Sequence, residues 1–213
     1  MWGMKKIFRV LLTVVIALAV RGVMTQVGNK TTSKVNRVNQ QKAAVLKREF
    51  TQLGERMGND IGSFISEQRT DVDYGIDSLE LKKEYVDKKL NETEKEFLQK
   101  IEKAKKELKV KGNFKDTEKE MKSTLENMRK VFYSQIYFLE GMKNCNEKYI
   151  DEGVKYIKSS NFKVKSDVIK NYADILKQGI RELKKEDMIT EETLEKLLKY
   201  ETAYIKEMER NFK

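Results

Sequence analysis

The chain has 213 residues, no histidine, no proline, one cysteine, and 44 basic against 34 acidic side chains. The lack of histidine excludes Ser-His-Asp and Cys-His catalytic arrangements and zinc sites with imidazole ligands, while a single cysteine excludes disulfide frameworks and thiolate clusters. A charged fraction of 37% beside 39% apolar residues, without proline, is typical of long amphipathic helices, so the composition predicts an all-α fold.

The first 24 residues combine a basic start with a short apolar run. Val10–Val20 is an uninterrupted apolar stretch of eleven residues between basic flanks. This pattern is typical of a bacterial export signal, whereas a membrane-spanning helix needs roughly 20 residues. Residues 1–24 are therefore predicted to be a cleaved signal peptide or an uncleaved membrane anchor; a buried core helix and a mitochondrial-type presequence are the alternatives. The residues behind this prediction are Lys5, Lys6, Arg9, Leu12, Val15, Ala19 and Arg21.

The positive charge of the chain is concentrated near its N-terminal end. Residues 1–22 carry four basic and no acidic side chains, and residues 23–70 carry eight basic against four acidic ones. The remaining residues are nearly balanced in charge. A nucleic-acid-binding protein concentrates its basic side chains on the folded surface that follows the phosphates, so this distribution does not favour a nucleic-acid partner.

From residue 34 onward the apolar residues recur at spacings of three and four, which is helical periodicity. Breaks with capping residues divide this pattern, as at Asp77–Glu80, at Gly112 and at Thr190. We expect helices near 34–70, 77–111, 116–158, 165–185 and 190–211.

Connections of about five to seven residues make consecutive helices antiparallel neighbours. The sequence thus predicts an elongated antiparallel helical-hairpin, coiled-coil-like bundle of four to five helices behind the N-terminal hydrophobic segment. The predicted division is a signal or anchor over 1–24, a basic linker and first long helix over 25–71, and a helical bundle over 72–213.

Glycine recurs at every fourth position in the first predicted helix, at Gly54, Gly58 and Gly62, and Ser66 continues the spacing. Each glycine inside a helix costs roughly 0.5–1 kcal/mol relative to alanine, so this stripe calls for a compensating contact. Close helix packing within the bundle or in a homo-oligomer would supply one. The alternative is a flexible joint between a stalk and the body.

The segment Val131–Leu139 is apolar or aromatic almost all round, which indicates a central helix covered on more than one side. Phe132, Tyr133, Tyr137 and Phe138 either belong to the core or line a ligand groove. Cys145 is interpreted as a small, half-buried residue, with an intermolecular disulfide or a free thiol as the alternative.

The sequence contains no nucleotide-binding, calcium-loop or zinc-protease motif, and its Glu/Lys alternation is that of solvated helix faces. We therefore expect no catalytic, cofactor-binding or metal-binding residues. The favoured function is a non-enzymatic structural or protein-interaction module, exported or anchored in the membrane, with a protein partner or a second copy of itself. The alternatives are a cytoplasmic, nucleic-acid-associated protein using residues 23–70 and a hydrolase based on Asp/Glu chemistry.

Overall fold

The computed structural model describes residues 40–66, 78–108, 115–161 and 166–211. These ranges are almost entirely helical and contain no strand, which confirms the predicted all-α class. The described helices are α1 (Gln40–Ser66), α2 (Ser78–Leu108), α3 (Lys115–Asn144), α4 (Glu147–Ser159), α5 (Ser166–Lys185) and α6 (Glu191–Asn211).

The prediction of one helix over 116–158 is wrong, because the chain turns back at Cys145–Asn146 and forms two helices. Cys145 adopts the left-handed conformation, with φ of 48°. Asn146 has an extended backbone and its side-chain oxygen accepts a hydrogen bond from the Lys148 amide at 3.1 Å, so it caps α4. The apolar periodicity runs through this turn because α3 and α4 both face the core. The described ranges therefore hold six helices instead of four to five.

The other described boundaries agree with the capping residues in the sequence. α4 ends at Ser159, whose successor Ser160 closes the helix through a backbone hydrogen bond to the Ile157 carbonyl. Thr190 precedes α6, and its hydroxyl accepts a hydrogen bond from the Thr193 amide at 3.2 Å. Short polar side chains at these positions replace the hydrogen bonds that a helix end lacks.

Helix α3 lies at the centre of the packing, in contact with α2, α4 and α6, while α1 packs on α2 and α5 packs on α6. This agrees with the prediction that Val131–Leu139 is covered on more than one side. The core is formed by aliphatic and aromatic side chains from all six helices, including Phe50, Phe97, Ile101, Met128, Ile136, Ile157, Leu176 and Tyr204.

One ion pair is buried between α2 and α3. The Lys82 ammonium lies 2.8 Å from Glu140 Oε1, and the two side chains are 10% and 5% exposed. Because each charge is removed from water, each depends on the other for compensation.

Residues 1–24, to which the export or anchor prediction applies, lie outside the described residues. Among the helices that are described, none combines the length and apolarity needed to cross a membrane.

Candidate interaction surface

The α3–α4 pair is held together by a very close backbone approach. A Cβ atom placed on Gly153 of α4 would lie 2.9 Å from the Ser134 carbonyl oxygen of α3. A Cβ atom on Gly141 of α3 would lie 2.9 Å from the Ile150 amide nitrogen. Real Cβ atoms do not come this close to backbone atoms, so glycine is required at both positions. The two helices can therefore share aromatic side chains along one edge.

Four half-buried tyrosines occupy that edge, Tyr133 and Tyr137 from α3 and Tyr149 and Tyr156 from α4, and we refer to them as the tyrosine cluster. Tyr137 is stacked on Tyr156 with ring centroids 5.6 Å apart. Tyr156 also meets Tyr133 edge to face at 5.5 Å, and Tyr149 meets Tyr137 in the same way at 5.9 Å. Stacked and edge-to-face pairs at these separations are favourable, so the rings support one another in fixed positions.

Helix α2 adds charged groups to the tyrosine cluster. The Lys83 ammonium lies 5.5 Å from the Tyr133 ring centroid and 5.9 Å from that of Tyr137, within the range of cation–π attraction. It also donates a hydrogen bond to Glu80 Oε1 at 2.9 Å. The Tyr133 hydroxyl donates to Asp87 Oδ2 at 2.7 Å, and Arg129 Nε donates to Asp87 Oδ1 at 2.8 Å.

Burial and these contacts shift the pKa values of Tyr133 and Tyr137. Burial raises the pKa of Tyr133, and its hydrogen bond to the Asp87 carboxylate raises that pKa further. Burial also raises the pKa of Tyr137, against the opposing effect of the Lys83 charge. Both phenols therefore remain neutral hydrogen-bond donors over the physiological pH range.

The hydroxyls of Tyr137, Tyr149 and Tyr156 make no hydrogen bond with any residue in the described ranges, and each side chain is partly exposed. The tyrosine cluster thus presents a rigid aromatic surface with hydroxyl groups free to bond to another molecule. Such a surface can bury apolar area and form directional hydrogen bonds at the same time.

The four aromatic residues differ in burial. Phe132 and Phe138 are buried in the core, where the Phe138 ring is stacked on Tyr204 at a centroid distance of 3.9 Å. Tyr133 and Tyr137 are half-buried, and their role as lining of a ligand groove stays a prediction. The sequence analysis missed Tyr149, Tyr156 and Lys83, because a continuous helix over 116–158 would have kept the two pairs of tyrosines far apart.

The predicted glycine stripe lies in α1, which continues without a break through Gly54, Gly58 and Gly62. All three glycines are buried, while the side chain of Ser66 lies outside the described residues. Close packing of this stripe therefore stays a prediction. Cys145 is half-buried and has a free thiol at the α3–α4 turn.

The described ranges contain no cluster of three or more cysteine, aspartate or glutamate side chains suited to hold a metal ion. No protein-family model matches the chain, and no curated protein or solved structure proved similar to it.

Proposed function

We propose that this chain is a non-enzymatic helical protein that is exported, or anchored in the membrane, through residues 1–24 and that binds a protein partner through its helical body. The observation that carries the proposal is the tyrosine cluster of Tyr133, Tyr137, Tyr149 and Tyr156. In this proposal, residues 1–24 are the part of the chain that contacts the membrane.

Tyrosine is enriched at the centres of protein interfaces. Two properties explain this enrichment, a large contact area and a small loss of conformational freedom on binding, and the tyrosine cluster has both. A tyrosine side chain contributes a large contact area, and binding restricts only its two side-chain torsion angles. The rings of the tyrosine cluster are already fixed by their neighbours and by the Asp87 and Lys83 contacts. These side chains would therefore lose little conformational entropy when a partner binds.

The proposed architecture is an elongated set of antiparallel hairpins, and inter-helix ion pairs support it. Glu49 near the start of α1 pairs with Lys100 at 3.1 Å, and Asp60 further along α1 pairs with Lys89 at 3.1 Å. These two pairs indicate that α1 and α2 run antiparallel. This arrangement would leave the edge of α3–α4 with the tyrosine cluster accessible along the side of the bundle.

Site-specific photocrosslinking in intact cells tests the proposal. A benzophenone amino acid placed at Tyr149 should give a covalent adduct of discrete mass, whereas the same group at Lys170, an exposed position on α5, should not. An adduct of twice the chain mass would identify the partner as a second copy. The adduct should disappear in a Tyr137→Ala background and persist in Tyr137→Phe, which keeps the stacked ring.

Equal labelling from both positions would contradict the proposed surface. An adduct at Tyr149 that is unaffected by Tyr137→Ala would contradict it as well, since the partner would then not depend on the tyrosine cluster.

A further inference from the structure

Helix α6 carries a carboxylate into the core without full compensation. Glu201 is 0% exposed, and its Oε1 atom has no hydrogen-bond partner. Among the described residues it pairs with the Lys177 ammonium of α5, which lies 3.9 Å from Oε1 on a side chain that is 45% exposed. Thr202 donates a hydrogen bond of 3.3 Å to the other oxygen. An ionised carboxylate in this position loses its water and gains only a distant cation and one long hydrogen bond.

Among the described residues, the two charged groups that act on Glu201 belong to α5. Burial raises the pKa of Glu201 above its ordinary value, and Asp174 raises it further, while Lys177 and the Thr202 hydrogen bond lower it. Helices α3 and α4, which also pack on α6, contribute no charged group among the described residues that act on it.

The other polar groups near this part of α6 are neutral. The Tyr204 hydroxyl shares a hydrogen bond of 2.8 Å with Ser134 of α3, which in turn donates to the Gly153 carbonyl of α4, so α6 is bonded to α3 directly and to α4 through Ser134. The hydroxyl of Tyr172 on α5 is buried without a partner, and burial raises the pKa of both tyrosines. The buried hydrogen bond of Tyr204 joins α6 to α3, whereas the polar contacts of α5 with α6 in the described ranges involve the partly exposed lysines Lys177 and Lys184.

Helix α5 packs mainly on α6 among the described helices. The Lys177–Glu201 contact and the Lys184–Glu191 pair at 3.6 Å show that the two helices run side by side in opposite directions. The buried side chains of α5 are those of Ile169, Tyr172, Ala173, Ile175, Leu176 and Ile180.

We propose that α5 is a releasable helix whose docking on α6 is controlled by protonation of Glu201. In the closed form the carboxyl group carries a proton and α5 covers it. When the pH rises, the closed form opens, the carboxylate is released into water as the proton leaves, and the apolar face of α5 becomes accessible. This inference does not rest on the proposed partner-binding role of the tyrosine cluster.

The direction in which pH changes the opening of α5 follows from proton linkage. A carboxyl group that holds its proton more firmly in the closed form stabilises that form most at low pH, and this stabilisation is lost as the pH rises through the closed-form pKa. One proton is released per opening event, so the opening equilibrium can increase by at most about tenfold per pH unit.

Hydrogen–deuterium exchange with the full-length chain in mild detergent tests the proposal. After correction for the chemical exchange rate, opening of peptides from 166–185 should increase as the pH rises above 4.5, the ordinary pKa of a glutamate, and should level off above the closed-form pKa. The increase should stay within the limit of about tenfold per unit. Glu201→Gln should remove this increase and keep α5 protected throughout. Glu195→Gln, an exposed glutamate on the same helix, should behave as the wild type.

A second variant keeps the test decisive if Glu201→Gln does not fold. Lys177→Gln removes the cation that partly compensates the carboxylate, so it should increase opening of α5 at about pH 8 and leave it unchanged at about pH 5. An unchanged pH profile in Glu201→Gln would overturn the proposal. So would an equal effect of Lys177→Gln at both pH values, or exchange of α5 in step with α3, which would indicate global unfolding.

Discussion

Adding a single methyl group at Gly153 should force α3 and α4 apart. The new Cβ atom would lie 2.9 Å from the Ser134 carbonyl oxygen and 3.2 Å from the Phe138 amide nitrogen. Both neighbours are backbone atoms of α3, so neither can move aside by a change of rotamer. Gly153→Ala therefore requires the helices to separate.

The size of the effect follows from two opposing contributions. Overpacking of this kind destabilises the fold by about 1–3 kcal/mol. Replacing glycine by alanine inside a helix stabilises the fold by roughly 0.5–1 kcal/mol through helix propensity. We expect a net loss of up to about 2.5 kcal/mol in the free energy of unfolding. For a chain of this length that loss lowers the melting temperature by up to about 10 °C.

The matched control is Gly179→Ala, which makes the same change inside α5 at a half-exposed position. Alanine there should increase stability by roughly 0.5–1 kcal/mol through helix propensity. Thermal unfolding followed by circular dichroism at 222 nm compares the two variants, and the near-ultraviolet tyrosine signal should change in Gly153→Ala. If Gly153→Ala is as stabilising as Gly179→Ala, the close approach of α3 and α4 is refuted.

Two further substitutions probe other helix contacts by thermal unfolding. If the glycine stripe of α1 packs closely, Gly58→Leu should destabilise the fold by about 1–3 kcal/mol while Gly58→Ala is nearly neutral; stabilisation by both would contradict close packing. Lys82→Met should cost about 3–5 kcal/mol because it leaves the Glu140 carboxylate buried without its cation. Adding Glu140→Leu to that variant should restore most of the loss, and a failure to do so would show that the pair contributes through packing alone.

The local chemistry of the sequence predicted most helix boundaries in the described ranges. Ser159–Ser160 and Thr190 carry side chains that satisfy helix ends, and the structure uses them in that way. The break at Cys145–Asn146 was not predicted, because the turn consists of only two residues and neither is a glycine or a proline, the usual signals for the end of a helix. The apolar pattern on either side also stays in phase, since both helices face one core.

The tyrosine cluster could not be predicted for the same reason. Tyr137 and Tyr156 come together only because the chain reverses between them, and their spacing in sequence carries no sign of that reversal. Gly141 and Gly153 on either side of the turn were a usable signal, because paired glycines suit a close crossing of two helices. Glu201 also gave a signal, since it lies four residues from both Leu197 and Ile205 in the apolar stripe of α6.

Delivery of the helical body beyond the cytoplasmic membrane is tested most directly by fractionation of bacterial cells that make the full-length chain, with protease added to intact spheroplasts. We expect the wild type in the membrane or extracytoplasmic fraction with its body digested by external protease. A variant carrying Leu12→Asp and Val15→Asp should stay in the cytoplasm and be protected, since charges in the apolar run oppose insertion. A wild-type chain that stays cytoplasmic and protected, or a variant that fractionates as the wild type does, would contradict export through residues 1–24.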